Sequence, residues 1–241
     1  MEFDQGWAPT GNMPWNDLTQ VVLFALQTQN GPGLDAHLIT DIDVPAWVGA
    51  AHAHGVKPFI SIGGSDDQNW HNACNDTNRA QFVQNLVNYA TANGFDGIDL
   101  DPEDQVWGAQ NPPVQAMTDC IVGVSNAAHA VGLLVSADVI TNWEGPWFAP
   151  SQAYVDQFNL MTYGDNLATM QSDVQDTINQ GLPASKFVVG VDVDDYPDPP
   201  PGGCGQFSTY AAQAGLRGAF LWAAYTDSQH GNVCANGLAA G

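Results

Sequence analysis

Positively charged side chains are almost missing from this sequence. Lys57, Arg79, Lys186 and Arg217 are its four cations beside 26 Asp and Glu residues, which gives a formal net charge of −22 at pH 7. Such a charge repels the phosphates of nucleic acids and the surface of anionic lipids. We therefore expect neither a nucleic acid nor a membrane as a partner, and a substrate that is neutral or cationic.

Long apolar runs are missing as well. No stretch of 18 apolar residues occurs, and the start Met1-Glu2-Phe3 lacks the basic and apolar regions of a signal peptide. The sequence thus predicts no transmembrane helix, and any export signal is either removed or never existed.

Cysteine is scarce, and its spacing indicates disulfides. The short paired spacing of a zinc site does not occur among Cys74, Cys120, Cys204 and Cys234. Two disulfides are the better interpretation, and four cysteines allow three pairings. Proximity in the chain favours Cys204 with Cys234, which leaves Cys74 with Cys120. Disulfides form in oxidising compartments, so we expect a secreted, extracellular protein.

Motifs for metals and nucleotides are also lacking. No HExxH or comparable cluster occurs among the histidines, no Gly-x-Gly-x-x-Gly opens a helix after a strand, and there is no phosphate loop. We expect no metal and no cofactor. The histidines are His37, His52, His54, His71, His129 and His230.

A row of acids is the most informative feature that is present. Residues 96–103 read Asp-Gly-Ile-Asp-Leu-Asp-Pro-Glu, and the period of a strand puts Asp99, Asp101 and Glu103 on one face and Asp96 on the other. Glu103 is one of only three glutamates in the chain. The alternative in so Asp-rich a chain is a chance run in a solvated loop or a cation site. Because burying three carboxylates on a structural strand is costly, the row instead predicts chemistry, with a structural role for Asp96.

Short apolar runs alternate with helical patterns along the whole chain. Near-continuous apolar strands separated by helices indicate a parallel sheet, and eight such units predict closure into a (β/α)8 barrel formed by one domain, residues 1–241. We expect little or no helix in the first and last units. The predicted strands are 3–7, 20–27, 56–62, 95–101, 133–139, 157–163, 186–193 and 218–224, and the predicted helices are 45–54, 78–93, 113–131, 167–180 and 207–214.

The candidate residues cluster where the predicted strands end. In a barrel of this kind the working groups lie at the carboxyl ends of the strands. The Pro- and Gly-rich stretch 197–203 lies between the seventh and eighth strands, so we expect a loop over the barrel mouth there.

Four motifs together resemble the family 18 glycoside hydrolases, the chitinases. They are Ser61-Ile-Gly-Gly64, the row Asp-Gly-x-Asp-x-Asp-x-Glu, Met161-Thr-Tyr163, and Trp222 on the eighth strand. The resemblance spans almost the whole chain, and the acid row is its most specific part.

The resemblance implies a retaining mechanism in which the substrate supplies the nucleophile. Glu103 would protonate the glycosidic oxygen, and the oxygen of the 2-acetamido group on the same sugar would attack C1. Asp101 would raise the proton affinity of Glu103 and then hold the acetamido N–H, while Asp99 would share a proton with Asp101. Tyr163 would donate to the acetamido carbonyl.

The resemblance also implies the sugar-binding residues. Trp222 would form the floor of the −1 subsite, with Met161 beside it, while Ser61, Gly63 and Gly64 would shape the site. Many family members have Asp directly after the Tyr, but this chain has Gly164 and then Asp165, which either reaches the same sugar or is a solvated loop acid. Aromatic residues that follow strand ends would line a groove for further sugars, with loop packing as the alternative: Trp70, Trp107, Trp143, Trp147 and Tyr225.

Two residues keep a structural alternative beside the catalytic one. Tyr163 and Trp222 could be core side chains, and Asp138 either joins the acid network or pairs with a buried hydroxyl or amide.

We therefore expect a monomeric chitinase that acts on chitin or chito-oligosaccharides. Only about two dozen residues separate strands seven and eight, too few for an inserted α+β domain that deepens the groove, which favours endo cleavage. The alternatives are an endo-β-N-acetylglucosaminidase acting on N-glycans and a catalytically silent chitin-binding barrel. The silent relatives commonly lose the terminal Glu, which this chain retains as Glu103.

Overall fold

The computed structural model describes residues 1–4, 10–104, 115–141, 144–164, 166–193 and 202–241. Of residues 2–4 it describes the backbone alone. Three predicted site residues, Trp107, Trp143 and Asp165, lie outside the described residues, as does most of the predicted mouth loop 197–203.

Eight parallel strands form a closed ring. Each strand pairs with its neighbours in chain order, and the first strand pairs with both the second and the last, which closes the ring. The predicted (β/α)8 barrel is confirmed. The strands are β1 (Glu2–Asp4), β2 (Gln20–Gln29), β4 (Lys57–Gly63), β5 (Gly97–Asp101), β6 (Leu134–Val139), β7 (Gln157–Leu160), β8 (Phe187–Asp192) and β9 (Gly218–Trp222).

One strand was not predicted. β3 (Gly31–Asp35) pairs antiparallel with the last residues of β2. Its sequence Gly-Pro-Gly-Leu-Asp is typical of a loop, because glycine and proline weaken strands and are confined to edges. Among the described strands β2 is its one neighbour, and an edge position tolerates this composition.

Nine α-helices occur in the described part of the chain, and all five predicted ones are confirmed to within about two residues at each end. The last unit differs from the prediction, because two short helices follow β9 across the break at His230-Gly231-Asn232. None of the described helices has the length and hydropathy needed to cross a membrane. The helices are α1 (Val44–Ala53), α2 (Trp70–Ala73), α3 (Arg79–Ala92), α4 (Gln115–Ala130), α5 (Gly145–Phe148), α6 (Leu167–Asn179), α7 (Gly205–Gln213), α8 (Ala224–Gln229) and α9 (Val233–Ala240).

Local capping defines two helix starts. The Asp43 side chain accepts the N–H of Ala46 at 3.1 Å, and Pro45 occupies the first turn of α1. Asn166 caps α6 by accepting two backbone N–H groups. Both residues satisfy amide donors that a helix start leaves without partners.

The apolar core has two layers. The larger layer lies between the strands and the surrounding helices and includes Ile98 and Leu100 of β5. The smaller one, which we name the lower plug, consists of Val22, Phe59, Val188 and Phe220 on the inward face of the strands. A Cβ atom on Gly97 would lie 2.2 Å from the Phe59 ring, so the plug requires glycine at the start of β5.

Both disulfides have the pairing that proximity favoured. Cys74–Cys120 joins the end of α2 to α4 with a Cα–Cα distance of 5.8 Å, and Cys204–Cys234 joins the start of α7 to α9 at 5.3 Å. The second disulfide anchors α9, one of the two helices after β9 that the sequence did not predict.

Candidate active site

The acid row divides between the two faces of β5 as predicted. Ile98 and Leu100 point into the outer core, whereas Asp99 and Asp101 contact groups of the barrel interior. Asp99 and Asp101 are 0% and 4% exposed, and Glu103, just beyond the strand, is half-buried. The row therefore extends from the barrel interior to the barrel mouth at the carboxyl ends of the strands.

A cleft of about 500 Å³ opens at this mouth. It brings together five of the predicted site residues, which come from three different strand ends and thus lie far apart in the chain. These are Asp101, Glu103, Met161, Tyr163 and Trp222. Phe24, Ser65, Asp138 and Ile140 complete its lining.

Asp99 lies beneath the cleft in a polar socket. Its Oδ1 accepts hydrogen bonds from Ser136 Oγ at 2.5 Å and from Asn159 Nδ2 at 2.9 Å. Burial raises the pKa of Asp99, and the donors around it oppose that rise.

Asp101 lines the cleft beside Glu103. Its Oδ1 has no hydrogen-bond partner among the described residues. Burial raises its pKa well above the usual range, and the negative charges of Glu103 and Asp99 raise it further. Asp101 therefore holds a proton readily when the cleft is empty.

Glu103 has the protonation behaviour required of a general acid. Burial raises its pKa, and the negative charge of Asp66 raises it further. A carboxyl group that keeps its proton nearer to neutral pH can deliver it to a leaving group.

Two glycines shape the backbone beside the row. A Cβ on Gly63 would lie 1.9 Å from the carbonyl oxygen of Asp101, and its φ of +125° disfavours other residues. Gly64 donates its N–H to the same carbonyl at 3.0 Å, and a Cβ there would come within 2.7 Å of the Phe24 ring. Gly64 thus shapes the cleft wall through Phe24, although its own atoms do not line the cleft.

A second polar group lies behind Glu103, and the sequence did not predict it. Gln68 Nε2 donates to the Glu103 carbonyl at 3.2 Å. The buried Asp104 accepts the backbone N–H of His71 at 3.0 Å and meets its ring Nδ1 at 2.7 Å. These bonds hold the backbone that carries Glu103. Asp104 adjoins the row in sequence, which is the signal that could have identified it.

Tyr163 enters the cleft from the end of β7. Its ring packs edge-on against Phe220 of the lower plug, with 6.0 Å between the ring centroids. Thr162 anchors the same turn by donating its hydroxyl to Gly190 O at 2.7 Å. Burial raises the Tyr163 pKa well above its usual value, and the charge of Asp138 is the next cause, so the phenol remains a neutral donor.

The departure at Gly164-Asp165 has a local backbone reason. Gly164 adopts φ of +73°, in the left-handed region that glycine enters without steric cost. An aspartate directly after Tyr163 would have to adopt that conformation.

Trp222 and Phe24 form an aromatic corner of the cleft. Their rings meet edge to face, with 4.8 Å between centroids, and both side chains are half-buried. Trp222 is therefore partly open to the cleft. Phe24 was missed because one apolar residue within a predicted buried strand looks like core.

Two further acids of the β6 region surround the site. Asp138 lines the cleft and accepts Asn159 Nδ2 at 2.7 Å, so it joins the acid network. Glu144 is 2% exposed, and its Oε2 accepts the Ile140 N–H at 2.6 Å. Burial raises the Glu144 pKa well above its usual value, with the charge of Glu103 as a further cause. We name Asp99, Asp101 and Asp138 the acid cluster.

Several expected contacts are absent or different. Trp70 and Trp147 are 1% and 5% exposed, so they are core residues and cannot line a groove. Trp70 packs edge to face against Phe82 of α3, with 5.7 Å between the ring centroids. Tyr225 is exposed on α8.

Asp96 is outward-facing, as predicted, but its side chain pairs with the ring of His52 at 3.1 Å. Among the residues that the structure describes, no group of three or more His, Cys, Asp or Glu side chains could hold a metal ion.

Known proteins share the fold of this chain. The family model of the glycosyl hydrolases family 18 matches residues 43–196. No curated protein matches the sequence.

Solved structures with the same fold include several chitinases. One from Flavobacterium johnsoniae has a TM-score of 0.80 at 15% identity and covers 99% of this chain and 92% of its own. One from Rhizomucor miehei has a TM-score of 0.74 at 16% identity, with coverage of 100% and 99%. The Group IV chitinase of Ostrinia furnacalis, in complex with allosamidin, has a TM-score of 0.77 at 15% identity, with coverage of 98% and 94%. At these identities the likeness establishes the barrel fold.

Proposed function

The chain belongs to the glycosyl hydrolases of family 18, and we propose that it cleaves the β-1,4 bonds between N-acetylglucosamine units of chitin and chito-oligosaccharides. The observation that carries this proposal is the stack of Asp99, Asp101 and Glu103 opening into one cleft with Tyr163 and Trp222. The chitinase structures that share the barrel support the substrate class.

The first step breaks the glycosidic bond. Protonated Glu103 gives its proton to the glycosidic oxygen, which leaves with the electron pair of the C1–O bond. The carbonyl oxygen of the sugar's own 2-acetamido group forms a bond to C1, which yields a cyclic oxazolinium ion. No carboxylate nucleophile is needed. The next acid after Glu103 is Asp104, which is buried and hydrogen-bonded to His71.

The second step returns the proton. Glu103, now a carboxylate, removes a proton from water, the water oxygen bonds to C1, and the bond between C1 and the acetamido oxygen breaks. Two displacements at C1 retain the β configuration.

Asp101 and Asp99 support the charge on the oxazolinium ion. The unpartnered Oδ1 of Asp101 is free to accept the acetamido N–H, and an anionic Asp101 stabilises the positive ring. Asp99, in its socket of donors, shares the proton that Asp101 gives up or takes.

Tyr163 and Trp222 position the reacting sugar. The neutral phenol donates to the acetamido carbonyl and so aligns the nucleophile, while the partly exposed indole stacks on the apolar face of the sugar. Met161 lines the same cleft.

We further propose endo cleavage by a secreted monomer. The segment between β8 and β9 is too short for a domain that would wall in the substrate, and an open groove admits chains along their length. The two disulfides support an extracellular location.

A product time course on chitohexaose tests this function. Early release of mixed oligomers with the β anomer formed first is expected. Release of disaccharide alone from one end would overturn endo action, and an initial α product would overturn retention. Parallel assays on chitotetraose and on a high-mannose glycoprotein separate chitinase activity from cleavage of N-glycans.

A further inference from the structure

Asp138 is a buried acid for which the steps above provide no role. It lies on β6, one strand away from the acid row, is 4% exposed, and borders the cleft. An acid in such a position either carries a negative charge toward the substrate or serves as a neutral group.

The hydrogen bonds around Asp138 connect it to Asp99. The side-chain amide of Asn159 donates to Asp138 Oδ1 at 2.7 Å and to Asp99 Oδ1 at 2.9 Å. Gln157 Nε2 donates to Asn159 Oδ1 at 2.9 Å, which fixes the amide so that its nitrogen faces both acids. The two carboxyl groups also lie within hydrogen-bonding reach of each other.

This contact requires a proton. Two ionised carboxylates cannot share a hydrogen bond, and their repulsion is large at such burial. The ion pairs among the described residues include none with Asp99, Asp101 or Asp138, so no cation neutralises them.

The surroundings assign the proton to Asp138. Asp99 Oδ1 already accepts from Ser136 and Asn159, which favour its charged form, whereas Asn159 is the one donor that Asp138 has in the described structure. The titratable groups facing Asp138 are Asp99 and Asp101 from β5 and Tyr163 from the end of β7, with Asp192 of β8 acting on Tyr163. Burial and the charges of Asp99 and Asp101 raise the Asp138 pKa well above its usual value.

We propose that Asp138 is a positioning residue that acts as a neutral carboxylic acid, donating a hydrogen bond to Asp99 and holding Asp99 as the anion beneath Asp101 until Asp101 gives up its proton. An anion in that position disfavours a second charge on Asp101. Before the glycosidic bond breaks, the mobile proton of the row is thereby kept on Asp101 and Glu103, near the leaving group. This inference rests on the proposed function.

Comparison of Asp138→Asn with Asp138→Ala tests the role. The Asn amide is neutral, accepts from Asn159 and donates to Asp99, so kcat should stay within about threefold of the unmodified enzyme. The Ala variant removes the donor, so Asp99 takes a proton from the row. We expect a loss in kcat of about 10- to 100-fold and a move of the alkaline limb of kcat/KM to lower pH. If Asn and Ala were equally damaging, Asp138 would act as an anion and the proposal would be overturned.

A second measurement does not depend on activity. An acid whose pKa is raised by folding destabilises the folded state as the pH rises above the pKa in the unfolded chain. The melting temperature of the Asp138→Asn variant relative to the unmodified protein should therefore increase from pH 4 to pH 8. A constant difference would contradict a buried neutral acid.

The matched control is Asp173→Asn. Asp173 is a buried acid on α6 that accepts the Thr141 hydroxyl at 3.0 Å, outside the acid cluster. Its pH profile should match that of the unmodified enzyme. Inactivity of the unmodified enzyme on chitohexaose would refute the proposed function instead, and the melting temperatures would still test Asp138.

Discussion

The two halves of the barrel interior have opposite chemistry. The lower plug is apolar and closely packed, whereas the acid cluster above it consists of carboxyl groups that have few donors and no ion pair among the described residues. The two halves meet where Tyr163 packs on Phe220. Packing in the lower half therefore keeps the strands in register. The upper half keeps carboxyl groups away from water, which is energetically unfavourable.

This contrast predicts that changes above the boundary alter rates and the pH dependence of activity and stability, and that changes below it alter stability without changing the pH profile of activity. The largest effect should come from Glu103→Gln. Because Gln cannot transfer a proton, kcat should fall about 10²- to 10⁴-fold while chito-oligomer binding persists. Turnover and binding isotherms on chitohexaose measure both quantities. Unchanged turnover would show that Glu103 is not the acid.

Below the boundary, Phe59→Ala should cost about 3–5 kcal/mol in the free energy of unfolding, since Phe59 is 2% exposed and closes the plug over Gly97. Urea unfolding measures this loss. The shape of the pH–rate profile should remain, and a changed profile would show that the two halves are not separate.

At the boundary, Tyr163→Phe keeps the ring contact with Phe220 and removes one donor. We expect kcat to fall about 100-fold with little change in melting temperature. A loss of stability as large as that of Phe59→Ala would assign Tyr163 to the core instead of to the chemistry.

Glu144→Gln sharpens the contrast through pH. Folding raises the Glu144 pKa, so below the pKa of the unfolded chain the group is neutral in both states and costs nothing, whereas above it the unfolded state gains stability by ionising. The melting temperature of the variant relative to the unmodified protein should therefore rise between pH 4 and pH 8. Gln keeps an acceptor for the Ile140 N–H. A difference independent of pH would contradict the buried neutral acid.

The smallest effect should come from Asp66→Asn. Asp66 is exposed, and its charge is the second cause of the raised Glu103 pKa, after burial. Its removal should move the alkaline limb of kcat/KM slightly to lower pH, and added salt should abolish the difference because exposed charges are screened. A shift that persists at high salt would indicate a direct contact.

Much of this site was predictable because β-strand geometry is local. The period of two fixes which residues of 96–103 face inward, and the order of strands brings 61–64, 161–163 and Trp222 to the same edge. The direction of Trp70 and Trp147 was not predictable, because the course of a loop after a strand depends on what packs against it. Aromatic residues there fit either a core or a groove.

The sequence by itself determined the barrel, the inward face of the acid row and the acid that ends it, because alternation and strand order are properties of the chain. Only the tertiary structure decided that Asp138, Asn159 and Phe24 belong to the site and that Asp104 and His71 support it. Their contacts join different strands or loops, and the distance between such groups is determined by closure of the ring. Those distances determine which of the buried acids holds a proton, and no single segment of the chain determines them.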